Sequence, residues 1–236
     1  MKPEVICHIM SSVDGRLLPS RWTQPFGDTA PYELFGEYAT LAKQLGTDAW
    51  MFGKGTTSEV FPEKFVSEDK RHPEAGKIYV GKRDSSRLFI TVDPDADILY
   101  TSSTLRGDNM VVILGTNATE DYLAMLEHKG ISYIIISDAT NLTEAMKALH
   151  NHFGINKISL QGGGIIDGAM LAAGLIDELS LVIYPGIDGS ASSPSIFEYL
   201  GAREELPADE QSLELGSSET FDNGIVWLRY RFHKNK

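Results

Sequence analysis

The chain has 236 residues, room for one large or two small domains, and 42% of them are hydrophobic, enough for a full core without staples. A formal charge of −12 argues against a nucleic-acid partner, since phosphate backbones reward the opposite sign, but it leaves an anionic small ligand open to local donors. No stretch reaches the roughly 18 apolar residues of a membrane helix, Glu4 and His8 interrupt any leader-like run, and the single Cys7 excludes an internal disulfide, so the expectation is a soluble, cytoplasmic protein with no membrane partner.

Val5 to Met10 reads as a buried strand that leaves through Ser11-Ser12-Val13-Asp14-Gly15-Arg16. Asp-Gly is a turn signal, so Asp14 either holds that turn or faces a ligand at the strand end; the turn is the simpler reading. A polar loop, 18–27, precedes a helix expected to start near Asp28 or Thr29, with Pro31 in its first turn. Phe35, Tyr38, Leu41, Ala42 and Leu45 form its apolar stripe and Gly46 closes it. Ala49 to Phe52 is a short strand that opens into Gly53-Lys54-Gly55-Thr56-Thr57, a glycine-rich exit whose hydroxyls suit phosphate or ribose.

Residues 60–87 read as a charged, irregular excursion with His72 in solvent. Leu88 to Val92 is a strand followed by an Asp93-Pro94 turn, Ile98 to Thr101 is expected to be another, and Val111 to Leu114 a third. Thr119 is a cap for a helix with Glu120 and Asp121 in its first turn and Gly130 at its end. Tyr133 to Ile136 is a strand. Asn141 and Glu144 resemble a capping box, ahead of a helix with the stripe Leu142, Ala145, Met146, Leu149 and Phe153. His150 and His152 lie two apart and point in different directions on a helix, so no metal is expected.

The stretch from Lys157 to Tyr184 carries the strongest functional signal. A strand at Ile158 to Leu160 meets Gly162-Gly163-Gly164, a helix follows from Ile165 to Ala173, Gly174 stops it, and a strand runs from Leu179 to Tyr184. Glycines between a strand and a helix bring backbone close to a ligand and leave the first helical N–H groups free for a phosphate. The dinucleotide fingerprint begun at Gly162 fails at Asp167, and the phosphate-loop pattern begun at Gly163 fails at Ala169 and Met170. A cofactor site and a plain tight turn both stay open on this segment alone. Residues 185–195 form a Gly- and Ser-rich loop, and 203–214 an acidic, solvated segment. The chain ends in a hairpin, Glu219 to Phe221 and Ile225 to Phe232 around Asp222-Asn223-Gly224, with Val226, Leu228, Tyr230 and Phe232 on one face and Trp227, Arg229 and Arg231 on the other.

Alternating strands and helices with a terminal hairpin predict a three-layer αβα fold: a mainly parallel central sheet with an antiparallel C-terminal edge, in a single domain over 1–236. Ligands of such sheets gather at the carboxyl ends of the strands, where the turns after Met10, Phe52, Val92, Leu114 and Leu160 all fall.

The set S-x-D-G-R after the first strand, G-x-G-T after the second, a V-D-P turn, and Q-G-G-G-x-x-x-G with Ala173-Gly174-Leu175-Ile176-Asp177-Glu178-Leu179 resembles the reductase domain of bacterial riboflavin biosynthesis, within the dihydrofolate reductase-like superfamily. That resemblance covers nearly the whole chain. It implies an NADPH-dependent oxidoreductase and a homodimer. The implied reaction opens the ribosyl ring of a phosphorylated aminopyrimidine to a ribityl chain, as in 5-amino-6-(5-phosphoribosylamino)uracil reductase. By motif, Gly53, Gly55 and Thr56 would contact the cofactor, Gly162, Gly163, Gly164, Ile165 and Ile166 would hold its pyrophosphate on the helix N-terminus, and the backbone near Met10 would approach the nicotinamide. Asp14 would line the substrate side and handle a proton, and Gln161 would face the substrate. The chain departs from the pattern at Gln161, where the family has Glu, across Glu59 to Ser67, which lacks two aspartates and an arginine, and around Lys43-Gln44, where an arginine is expected. A same-superfamily reductase of another small substrate, such as a pterin, and a non-catalytic nucleotide-binding protein are the alternatives.

Overall fold

The computed structural model describes residues 1–85, 87–137 and 142–234. Two compact units emerge, each assembled from separated stretches: one from Met1–Pro3 and Asp48–Ile158, the other from Glu4–Thr47 and Ser159–Lys236. In chain order the elements are β1 (Glu4–Ser11), α1 (Pro31–Gln44), β2 (Ala49–Gly53), α2 (Lys54–Val60), β3 (Ile78–Tyr79), β4 (Leu88–Val92), β5 (Thr104–Leu105), β6 (Asp108–Gly115), α3 (Glu120–Lys129), β7 (Ser132–Ile136), α4 (Leu142–Phe153), β8 (Lys157–Leu160), α5 (Gly164–Ala172), β9 (Glu178–Ile183), β10 (Gln211–Thr220) and β11 (Val226–Lys234).

In the first unit the sheet order is β2-β4-β6-β7-β3, with β5 on β6. The pairs β2–β4, β4–β6 and β6–β7 are parallel, and β3 adds antiparallel to β7. Strands buried along their whole length are mostly apolar, as in Leu88–Val92 and Asp108–Gly115, with Thr91, Asp108 and Asn109 the buried polar exceptions. Tyr122, Leu123 and Leu126 of α3 pack into a core with Phe52, Phe89, Val112, Leu114, Tyr133 and Ile135. The stripe expected on α4 is the buried face observed: Leu142, Ala145, Met146, Leu149 and Phe153.

In the second unit the order is β10-β11-β9-β1-β8, with β1 parallel to β9 and the hairpin antiparallel to it. Side-chain alternation sends Ile6, His8 and Met10 to one face of β1 and Cys7 and Ile9 to the other. Leu34 and Leu41 of α1 join Ile6, Met10, Val182, Tyr184 and Trp227 on the first face. Asp167 of α5 meets Cys7 on the second, so helices cover both faces, and the mainly parallel α/β class is the one observed. Cys7 is free and fully buried, a small core residue whose thiol burial keeps protonated.

Several local expectations need correction. Residue Ala30, not Asp28 or Thr29, is the N-cap of α1, because Pro31 at the first helical position forces its predecessor into extended backbone. The Gly53 exit is not an open turn: α2 begins at once, with Gly53 as its N-cap. Ile98–Thr101 is not a strand. Ile98 makes one antiparallel bridge to Lys64, flanked by backbone bonds from Leu99 N–H to Glu63 O (2.9 Å) and Phe65 N–H to Asp97 O (2.7 Å), while on its other edge Asp93 accepts its N–H (3.4 Å) and Tyr122 donates to its carbonyl (3.1 Å), so the pairing stops at a single bridge. The excursion includes β3, and exposed His72 pairs its Nδ1 with the Ala118 carbonyl oxygen at 2.9 Å. The acidic segment gives way at Gln211 to β10, ten residues long, whose backbone pairs with β11 while its side chains stay mostly exposed. The turn follows the Asn-Gly signal, with Gly224 at φ +87°. Asn141 of the capping box lies outside the described residues; Glu144 accepts from the Ser137 N–H (3.0 Å) and hydroxyl (2.8 Å).

Candidate active site

The second unit gathers Met10, Asp14, Gln161 and the triple-glycine corner. Gly162 takes φ +86°, which glycine adopts without strain, and an added Cβ there would press on Ile9 Cδ1 at 2.9 Å. Gly163 is the N-cap of α5, in ordinary extended backbone (φ −75°) and half-buried, and Ile165 beside it is 54% exposed. The first amides of this nine-residue helix therefore begin at an accessible edge. The other flank is closed, since a Cβ on Gly164 would strike the Ser195 carbonyl oxygen and one on Gly168 the Glu198 carbonyl. Those two glycines are required for close packing of the 195–199 segment, which Glu198 N–H fastens to Gly164 O at 2.9 Å.

Beneath the corner lies Asp167, fully buried and in contact with the Cys7 thiol. Burial raises its pKa well above the carboxylate range, against a smaller opposing effect from Cys7. That shift favours the neutral acid, which opposes a negative ligand above it less than a carboxylate would.

Gln161 is fixed at both ends. Its Oε1 accepts from the Tyr38 hydroxyl (2.7 Å), which also lies 2.9 Å from the His8 carbonyl oxygen, and its Nε2 donates to Ser159 Oγ (2.8 Å). Tyr38 stacks on His8 with ring centroids 4.4 Å apart. Trp227 Nε1 donates to Ser180 Oγ (2.8 Å), which leaves the Ser180 hydroxyl to donate to His8 Nδ1 (2.9 Å) and places the His8 proton on Nε2, toward the Tyr38 carbonyl oxygen (3.3 Å). Burial lowers the His8 pKa to about 4, so the ring is neutral and acts as a fixed shelf for Tyr38.

Asp14 sits in the turn after β1. Its carboxylate accepts from the Ser12 hydroxyl (2.6 Å), the Gly189 N–H (2.8 Å) and the Asp188 N–H (3.1 Å), and with Ser12 as the main cause its pKa falls to about 2. The turn reading and a strand-end position thus coincide. Met10 is 7% exposed, paired with Val182 and packed in the core, so only its backbone can serve a ligand.

Arg16 closes the S-x-D-G-R motif after β1. Its Nη1 donates to the Ser193 carbonyl oxygen (2.9 Å), its buried Nε has no partner, and it has no carboxylate counter-ion among the described residues. A half-buried guanidinium without an anion, beside the Asp14 turn, is equipped for an acidic ligand. The signal was present in the sequence as the one cation of the strand-exit motif, but a counter-ion's absence is visible only in three dimensions. Gly53, Gly55 and Thr56 lie in the first unit, at the carboxyl end of β2. There Thr57, fully buried, bonds the Gly53 carbonyl oxygen (3.3 Å) and Thr91 Oγ1 (3.1 Å), which sets the strand-to-helix bend. Among the described residues no group of side chains is arranged to hold a metal, and no helix is long and apolar enough to cross a membrane.

This architecture is shared with solved structures. A pyrimidine reductase-like protein from Corynebacterium diphtheriae superposes with a TM-score of 0.69 at 21% identity, over 99% of this chain and 93% of that one. The riboflavin biosynthesis reductase of Saccharomyces cerevisiae gives 0.60 at 16%, over 98% and 90%. RibD of Acinetobacter baumannii gives 0.65 at 17%, with 98% of this chain covering 58% of the longer protein. At these identities the likeness establishes the fold. The family follows from the sequence model of the RibD C-terminal domain, which matches residues 3–227, a span containing the Asp14 turn, the Gly53 exit and the triple-glycine corner alike: the chain belongs to the RibD C-terminal domain family.

Proposed function

We propose that the chain is a reductase dependent on a nicotinamide dinucleotide, NADPH by the resemblance, acting on a phosphorylated aminopyrimidine as 5-amino-6-(5-phosphoribosylamino)uracil reductase does. The observation that carries this reading is the β8–α5 corner. Gly163 presents backbone without a side chain at the start of a nine-residue helix whose first amides have no partner within the helix, so the residues fit a pyrophosphate. A reduced dinucleotide, when bound, supplies the hydride.

The chain's own residues bind, orient and exclude water. Gln161, locked by Tyr38 and Ser159, keeps one N–H free to direct toward a substrate carbonyl. Arg16 offers the anion contact. Asp14, ionised near neutral pH, is able to accept a proton or order a water but has none to donate, and it ties the 188–189 backbone over the strand end. Gln161 in place of Glu, fixed and uncharged, also favours a second reading, a same-superfamily reductase of a different small heterocycle.

The test is turnover: loss of nicotinamide absorbance with the phosphorylated aminopyrimidine and NADPH, compared with a pterin. Consumption with the aminopyrimidine supports the first reading; consumption with the pterin alone supports the second; none with either removes both. A homodimer belongs to the same proposal. Leu213 and Leu215 of β10 are 50% and 53% exposed on the hairpin face that carries Leu228 and Tyr230, an apolar surface suited to a second copy.

A further inference from the structure

On one face of the second unit's sheet, three neighbouring strands set polar side chains in a row: Trp227 on β11, Ser180 on β9 and His8 on β1. Ser180 lies opposite His8 in the β1–β9 register, and Trp227, opposite Val182, reaches Ser180 diagonally. Trp227 Nε1 donates to Ser180 Oγ at 2.8 Å, Ser180 Oγ meets His8 Nδ1 at 2.9 Å, and His8 Nε2 meets the Tyr38 carbonyl oxygen at 3.3 Å. His8 and Ser180 are fully buried and Trp227 nearly so.

The two ends of this chain leave one consistent arrangement of protons. An indole N–H only donates and a carbonyl oxygen only accepts. His8 Nε2 therefore carries the ring proton, Nδ1 is the bare acceptor, and the single Ser180 hydroxyl proton points at it. The bonds all run one way, from β11 to α1, and they end on the residue that grips Gln161. Tyr38 stacks on the His8 ring, with 4.4 Å between centroids and 9° between planes, and its hydroxyl holds Gln161 Oε1 at 2.7 Å. A ring with its proton on Nδ1 would instead turn a bare nitrogen toward the Tyr38 carbonyl oxygen and repel it.

Resting on the reading of Gln161 as a substrate contact, we infer that Trp227 and Ser180 are positioning residues for that contact. Buried as they are, they act only through other side chains: they set the tautomer of His8, His8 seats Tyr38, and Tyr38 orients the Gln161 amide. The inference deepens the proposed function, because it makes the C-terminal hairpin part of the machinery that presents the amide to a heterocycle.

Two measurements test it. His8 is the one fully buried histidine among the described residues. In the wild type, nitrogen NMR of histidine-labelled protein should show that ring as the Nε2–H tautomer from pH 5 to 8; the Nδ1–H tautomer overturns the inference. Steady-state kinetics, with the aminopyrimidine or the pterin, then compare Ser180→Ala and Trp227→Phe, each alone and combined with Gln161→Ala. Each single variant is expected to raise KM about three- to tenfold, the range for one lost neutral hydrogen bond, with kcat and the NADPH dissociation constant within about twofold of wild type. In the Gln161→Ala background neither change is expected to raise KM further. Equal rises in both backgrounds overturn the inference and leave the reductase reading standing, since the pair then acts on the fold alone. If Trp227→Phe does not fold, Ser180→Ala and the wild-type tautomer decide. Turnover of neither substrate by the wild type removes the reductase reading and the inference with it.

Discussion

At the scale of single residues, burial decides which ionisable groups are chemically available. Asp167 is fully buried, and burial outweighs its contact with the Cys7 thiol, so its folded-state pKa lies above the unfolded value. The folded protein then binds more protons than the unfolded chain once pH exceeds the unfolded pKa, near 3.9 for an aspartate. The associated stability is fully present below that value and declines as pH rises toward the folded pKa. Asp167→Asn should flatten this downward slope in denaturant midpoints measured across pH 4 to 8. An unchanged slope would mean that Asp167 is ionised in the folded state. Asp14 is the opposite case: at about 2 its pKa is depressed, so its contribution is present above the unfolded pKa and disappears only as pH falls through 2. Asp14→Asn should therefore raise KM through the loosened 188–189 loop while leaving the shape of the pH–rate profile between pH 5 and 8 intact. A lost inflection in that window would give Asp14 the proton-transfer role directly.

At the scale of elements, the α5 corner divides its glycines by task. Gly164 and Gly168 are packing residues against backbone carbonyls, so Gly168→Ala should destabilise by roughly 1–3 kcal/mol in chemical denaturation, the range for overpacking. A neutral effect would mean that the 195–199 segment moves aside freely. For α4, Leu149 is fully buried in the helix stripe, and Leu149→Ala should cost about 2–5 kcal/mol by the same measurement. These elements show where sequence was informative. The α4 stripe, the β8–Gly–α5–β9 unit and the Asn-Gly turn were readable because periodicity and turn chemistry are local. The fate of Ile98–Thr101 was not, because the partners of its backbone are the Glu63 carbonyl, the Asp93 carboxylate and the hydroxyl of Tyr122, the last 24 residues away from Ile98. Only the end of β10, at Glu219, was legible as strand, because beyond the short Leu213–Leu215 alternation its residues are polar or glycine; its pairing with β11 makes the rest a strand.

At the scale of the molecule, a chain of net charge −12 still offers an anion local contacts: the start of α5 at the glycine corner, and Arg16 by the Asp14 turn, which has no carboxylate counter-ion among the described residues. The same scale governs assembly. If the hairpin face buries against a second copy, sedimentation should give a dimer for the wild type and a monomer for Leu213→Lys/Leu215→Lys, whose positions are too exposed for the changes to disturb the folded monomer. A monomeric wild type would remove the dimer. The central claim, that the triple-glycine corner receives a dinucleotide, is tested most directly at Gly163, the N-cap of α5. Titration of the wild type and Gly163→Val with NADH and NADPH, followed by nicotinamide fluorescence, should show saturable binding by the wild type and at least tenfold weaker binding by the variant, with matching circular dichroism spectra. Equal affinity in the two proteins, or no saturable binding by the wild type, would contradict it.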